Sequence, residues 1–352
     1  MRVEFLSSTP PSALEGSGTW VAIDGVRRGL ERLGHTATLR PLRARSGFHT
    51  LDRWRYNRAV VRTPPRADLV VGVDLDGFLW AAGRPHGIRY VVMLKGIIAD
   101  ELRNERGLVR ALLSVQARWE RRNVASAERV IVPSRYSARV AQEVYDVPAS
   151  ALVVVPEPID LAEWRRRFAA VAPRTDGAPT VLAVARMYPR KRLEDLLRAA
   201  AALRNRIPGL RVRIVGEGPE SARLRILARR LRVQDVVAFL GELPRQALAV
   251  EYVRADCFCL PTVQEGFGIV FTEAMAAGLP VVACRAAAVP EVVEDGRTGL
   301  LVSPRNPEEL AMALEKMLTS GELRRELGDN GRRRVERLDL DRVAARLLEA
   351  ID

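Results

Sequence analysis

Apolar residues in this chain gather in short runs, and between the runs they recur at helical spacing. The first half carries VEFL (3–6), DLVVGV (68–73), YVVML (90–94), RVIVP (129–133) and LVVVP (152–156). The second half carries TVLAVA (180–185), RVRIVG (211–216), VVAFLG (236–241), CFCLP (257–261) and PVVAC (280–284). These runs are rich in β-branched residues and do not alternate strictly with polar ones. That predicts strands covered on both faces, as in parallel sheets. WVAIDGVRRGLERLG (20–34) and LEDLLRAAAALRNRI (193–207) instead place apolar residues three and four apart, which predicts amphipathic helices. His35, in LGHTATL (33–39), marks the turn from the first helix to a second strand. Strands alternating with helices predict an α/β, doubly wound design.

One break interrupts the rhythm. AEWRRRFAAVAPRTDGAP (162–179) is charged and then rich in Pro and Gly, which reads as a linker near 165–178. Each side holds its own β–α succession, so two Rossmann-like domains are expected, 1–168 and 169–337, facing each other across a cleft. A length of 352 residues agrees, at roughly 150 per domain. Ligands in such sheets bind at the carboxyl ends of the strands.

Composition narrows the class. With 48% hydrophobic and 28% charged residues, a folded core is expected and disorder is excluded as the main state. No apolar run approaches the roughly 18 to 20 residues of a membrane span. MRVEFLSSTP (1–10) is too short and too charged for a signal segment, so a cytoplasmic protein is expected. Three cysteines make no disulfide framework, and Cys257 and Cys259, two apart on a strand, read as a core pair in a reducing compartment.

The net charge is +13, yet only Lys95, Lys191 and Lys316 are lysines; the other basic residues are arginines. The excess is +9 over residues 1–170 and +4 over the rest. An Arg-rich solvated surface accounts for this. So does an anionic partner of the first half, either a phosphorylated acceptor or the inner face of an anionic membrane. Nucleic acid is not expected, since no recognised module or aromatic–basic interleaving occurs. His49 and His86 lie beside no nucleophile motif, which argues against a Ser–His–Asp hydrolase.

The most informative stretch is ADCFCLPTVQEGFGIVFTEAMAAGLPVVA (255–283). A strand ends at Pro261 and EGFG then opens a helix carrying Glu273. Amide groups at that helix start, exposed by Gly266 and Gly268, suit a phosphate or a sugar oxygen. Glu265 and Glu273 can each accept two hydroxyl hydrogen bonds, as a vicinal diol requires. In VARMYPRKRLEDLLRA (184–199), Arg186 follows a strand and Lys191 sits at the next helix start. The two cations can converge on a diphosphate.

Together these motifs resemble the retaining glycosyltransferases of family four, which have the GT-B fold. EGFGIVFTE (265–273) and RMYPRK (186–191) carry the likeness, with VGEGPESARL (215–224), FLGELP (239–244) and VPEVVEDGRTGLLV (289–302) in the same order. The likeness spans nearly the whole chain and is strong from about residue 128.

The resemblance implies transfer of a sugar from a UDP- or GDP-sugar to a hydroxyl, retaining the anomeric configuration. No metal or other cofactor is expected, since the nucleotide-sugar is itself a substrate. Glu273 would hold the ribose hydroxyls and Glu265 the transferred sugar, with the amides of Gly266, Phe267, Gly268 and Ile269 close by. Arg186 and Lys191 would stabilise the departing diphosphate in place of a divalent metal. Gly216 belongs to the donor side, and Leu243 would neighbour the base. Gly16 and Gly18, in GSG after the first strand, match the family's glycine-rich turn beside the donor phosphates. The helix 338–352 would cross back onto the first domain.

Two places depart from the family pattern. Leu94-Lys95-Gly96 stands where His-Gly is usual, which makes Lys95 a candidate for donor phosphate or an acidic acceptor. PEPID (156–160) stands where Asn-Gly-Val-Asp is commoner; Asp160 reads as a helix N-cap, while Glu157 faces the cleft or merely ends a strand. Asp74 and Asp76 form an Asp-x-Asp, the metal motif of a different glycosyltransferase architecture. Here they are expected to contact the acceptor or cap a helix. The rival readings are a catalytically silent nucleotide-sugar or polyanion binder, and an epimerase or phosphorylase on the same fold.

Overall fold

The computed structural model describes residues 1–12, 17–43, 45–172 and 176–351. The chain divides into two compact units. The first joins Met1–Pro158 to Leu338–Asp352, and the second is Ile159–Arg337. The division falls ten residues before the expected boundary. The start of the stretch read as linker, 165–169, belongs to a helix, Leu161–Ala169, capped by Asp160, whose side chain accepts from the Glu163 amide at 3.0 Å. Trp164 and Phe168, four apart, stack on each other at 5.2 Å and hold the arginine-rich helix to the second unit.

The first unit has six parallel strands: β1 (Arg2–Leu6), β2 (Thr36–Arg40), β3 (Leu69–Val73), β4 (Arg89–Met93), β5 (Arg129–Val132) and β6 (Leu152–Val154), in the order β2-β1-β3-β4-β5-β6. Alternate residues enter two separate cores. Val3, Phe5, Val71, Val91 and Ile131 pack on one face with Ile23, Val26 and Leu30 of the helix Ser17–Arg32. Leu6, Val70, Val92, Val130 and Val132 pack on the other with Tyr56, Val60, Val124 and Val140. Both faces are covered, as the continuous apolar runs require. The terminal helix, Leu340–Ile351, adds Val343, Ala344, Leu347 and Ile351 to the first of these cores.

The second unit holds β7 (Thr180–Val184), β8 (Arg211–Val215), β9 (Val237–Gly241), β10 (Cys257–Leu260), β11 (Val281–Cys284) and β12 (Gly299–Val302). Its order is β12-β11-β10-β7-β8-β9, again all parallel. Cys257, Cys259 and Cys284 are free and buried. The order in which strands are added reverses between β1 and β3 in one sheet and between β7 and β10 in the other. Those switch points, at the carboxyl ends, are where open α/β sheets place ligands.

Candidate active site

The second unit's switch point gathers the residues expected of a donor site. Arg186 lies just beyond β7, on a segment held from two sides. Gly216, at φ +114°, lies so close that a side chain there would put its first carbon 2.1 Å from the Ala185 carbonyl oxygen. Met187 donates its amide to the Glu217 carbonyl at 3.0 Å. The chain then makes a tight turn, Pro189–Lys191, before the helix Leu193–Leu203. The loop after β10 is stitched to that turn, because Val263 N and Thr262 Oγ1 both donate to the Arg190 carbonyl, at 2.9 and 3.2 Å.

This stitching brings Lys191 onto Glu265. Their side chains form an ion pair, 12% and 13% exposed. Arg186 is different, since among the described residues its buried Nε has no hydrogen-bond partner, and its guanidinium approaches the Tyr188 ring at 6.0 Å. The helix carrying Glu273 runs from Ile269 to Ala277, with Gly268 as its N-cap at φ +95°. A side chain at Gly268 would drive its first carbon to 2.5 Å from the Phe271 ring. Phe267 is buried, and Ile269 and Leu243 are half-buried. Glu273 sits about one turn into the helix. It is buried, and removal from water pushes its carboxyl up to about 7 against the pull of Arg245 and a 2.9 Å hydrogen bond from the Tyr252 hydroxyl. Neither Tyr252 nor Arg245 carried a sequence signal.

In the first unit the candidate charges are spent on one another. Lys95 follows β4 and Glu157 follows β6, and their side chains meet at 2.7 Å with only 6% and 5% exposed. Lys95 is therefore paired within its own unit, as Lys191 is with Glu265 in the other. The pair lines a depression with Val26, Leu94, Pro133 and Pro156. Asp76 is buried and receives Ser8 N, Ser8 Oγ and Asn57 Nδ2 at 2.5, 2.7 and 3.1 Å. Those bonds tie the loop after β1 to the end of β3, so Asp76 works as a structural clasp. Asp74, in a left-handed conformation at φ +53°, accepts the Lys95 amide at 2.8 Å. Its carboxyl is pushed up to about 6, chiefly by enclosure. Glu120, unmarked in the sequence, is buried nearby, bonded to the Tyr145 hydroxyl and the Ile98 amide. Burial first, and then the Asp74 charge, raise its carboxyl well above the usual range.

Gly16 lies outside the described residues. Gly18 falls inside the first turn of the helix Ser17–Arg32, not in the turn before it.

Two six-stranded parallel sheets, each wound by helices and each with a charged carboxyl end, define a protein of the GT-B class. Residues 165–334 match the family described as Glycosyl transferases group 1, and residues 9–163 match Glycosyltransferase Family 4. The chain belongs to this family. It is 37% identical, over 65% of its length and 56% of the relative's, to a D-inositol 3-phosphate glycosyltransferase of Saccharomonospora viridis. It is 35% identical, over 55% of its length and 51% of the relative's, to a GDP-mannose-dependent alpha-(1-6)-phosphatidylinositol monomannoside mannosyltransferase of Mycobacterium tuberculosis. The chain thus spans a little over half the length of the curated relatives it matches. Among solved structures, the sucrose-phosphate synthase of Thermosynechococcus elongatus superposes with a TM-score of 0.81 at 21% identity, over 99% of this chain and 97% of that one. Anabaena HepE in complex with UDP and glucose superposes with a TM-score of 0.74 at 20% identity, over 99% and 98%. No helix among the described residues is long and apolar enough to cross a membrane.

Proposed function

We propose that the chain transfers a sugar from a UDP- or GDP-sugar to a hydroxyl acceptor, with retention of configuration and without a metal. The observation that carries this reading is the switch point of the second sheet. There the Arg186 guanidinium, whose Nε has no hydrogen-bond partner among the described residues, the Lys191–Glu265 pair and the amide end of the Glu273 helix come from adjoining elements. Breaking the anomeric C–O bond leaves its electron pair on the diphosphate, and fixed cations at that spot favour the transition state. A diphosphate on Lys191 shares the ammonium with Glu265, leaving a Glu265 oxygen for sugar hydroxyls. Glu273, once ionised, accepts from the ribose.

The relatives' names support an acceptor of the cyclitol phosphate kind, free or in a lipid head group. The +9 excess of the first half suits either form, and also peripheral attachment to an anionic membrane from the cytoplasmic side. Melting curves with UDP, GDP, ADP and dTDP, each with and without EDTA, test the donor site. A selective rise that survives EDTA is expected. A rise abolished by EDTA ends the metal-free reading, and no rise with any nucleotide ends the donor-site reading. Proton NMR of the product reads the anomeric configuration, and an inverted product overturns retention.

A further inference from the structure

Tyr252 lies on the helix Arg245–Arg254 and is fully buried. Its ring is gripped edge-on by Trp164 at 5.6 Å and Phe168 at 6.4 Å, and it leans on Phe258 at 6.2 Å, which in turn meets Phe271 at 5.9 Å. Phenylalanine would fill this aromatic nest equally well, so the packing alone does not call for a hydroxyl. A buried phenol needs an acceptor. Tyr252 has Glu273 Oε2, at 2.9 Å.

We propose that Tyr252 is a positioning residue for nucleotide recognition: its hydroxyl fixes one oxygen of Glu273, so that the other is presented to the ribose diol. The proposal rests on the reading of Glu273 as the ribose-binding carboxylate. Three features carry it. The bond occupies Oε2 and leaves Oε1 without a protein donor among the described residues. The donor cannot swing, because aromatic rings from the helix Leu161–Ala169 and from β10 hold it. A hydrogen bond to the charged form also favours that form, and Glu273 needs the help, since burial raises its carboxyl to about 7.

The groups facing Glu273 are few. The helix Arg245–Arg254 brings Arg245 and Tyr252. The helix Gly321–Val335 brings Arg332, but to the Ala277 carbonyl at the far end of the Glu273 helix, at 3.1 Å. The helix Leu161–Ala169 presents Trp164 and Phe168. Burial, opposed by Arg245 and Tyr252, therefore sets the charge of Glu273.

The experiment uses the full chain and measures affinity for UDP and GDP, each against its 2′-deoxy form, from pH 5.5 to 8.5. In the wild type, the ribonucleotide whose base fits should bind more tightly than its deoxy form, with affinity rising through about pH 7. In Tyr252→Phe the preference for the ribo form should fall by about tenfold and the midpoint should move to higher pH. In Glu273→Gln, adding Tyr252→Phe should change nothing further, because the hydroxyl acts through Glu273. Wild-type discrimination that persists in Tyr252→Phe with an unmoved midpoint overturns the proposal and leaves the donor site standing. Equal losses from Tyr252→Phe with and without Glu273→Gln also overturn it. Absence of any ribose preference in the wild type instead overturns the role of Glu273.

Discussion

The two sheets share six parallel strands, a charged carboxyl end and a Lys–Glu pair there, Lys95–Glu157 in the first and Lys191–Glu265 in the second; they differ in the charges beside that pair. In the first unit, Asp76 is matched by Ser8 and Asn57, and Glu120 Oε2 by Tyr145, while Glu120 Oε1 is buried with no partner among the described residues. In the second, Arg186 is left with a buried unpartnered nitrogen, and Glu273 is held at one oxygen only. A charge whose partners are all internal maintains the fold. Glu120 is as short of partners but fully buried; a charge held short of satisfaction and still reached by solvent, as Arg186 and Glu273 are, is available to a ligand. The strand orders agree with this, since only the second sheet has three strands on each side of its switch point.

The sharpest break of this contrast is to unpair the first unit. Lys95→Met leaves Glu157 buried and alone, and should cost about 3–5 kcal/mol of stability. Lys95→Met with Glu157→Gln should recover most of it. Urea denaturation measures both, and additive losses would remove the pair from the argument. In the second unit the same kind of change should strike function instead. Arg186→Ala should lower turnover of the accepted nucleotide-sugar by roughly 10²–10³, with the melting temperature holding or rising. A large fall in melting temperature would place Arg186 with the structural charges.

Asp76→Asn turns an acceptor-only group into one that faces donors with a donor, and should cost about 1–3 kcal/mol. Unchanged stability would free Asp76 for an acceptor role. The smallest effect is that of pH on Glu273. Its value in the folded chain, about 7, exceeds the ordinary 4.5, so the fold holds this proton more tightly than the unfolded chain does. The stability it contributes is full below about pH 4.5, declines as pH rises, and is gone above about pH 7. Nucleotide binding needs the ionised form and runs the other way, weakening by up to about tenfold per pH unit below that value. Calorimetry at pH 6 and pH 8 separates the two trends, and parallel trends would exclude Glu273 from the ribose.

Ten strands were legible because a strand buried on both faces is written as an apolar run. β2 was placed only by the turn at His35, since TATLR lies at a sheet edge with Thr36 and Thr38 exposed. β12, at the other sheet's edge, hides in a turn-rich stretch. Residues 165–169 of the helix Leu161–Ala169 were read as linker because the charged stretch runs on into Pro and Gly, although Asp160 was recognised as a cap. At the site, Arg186, Lys191, Glu265 and Glu273 stand in local motifs and were found. Tyr252 was not, because its hydroxyl acquires meaning only against a carboxylate 21 positions away. Lys95 and Glu157 were each noticed as oddities, but 62 residues separate them and nothing in the chain announces that one answers the other.

The terminal helix has a consequence for how the molecule is made. A ribosome finishes the whole second unit, Ile159–Arg337, before it supplies Val343, Leu347 and Ile351. The half synthesised first is therefore the half completed last. Until then Ile23, Val26 and Leu30 lack part of their cover, and the nascent chain carries an unfinished apolar surface while the whole second unit is translated.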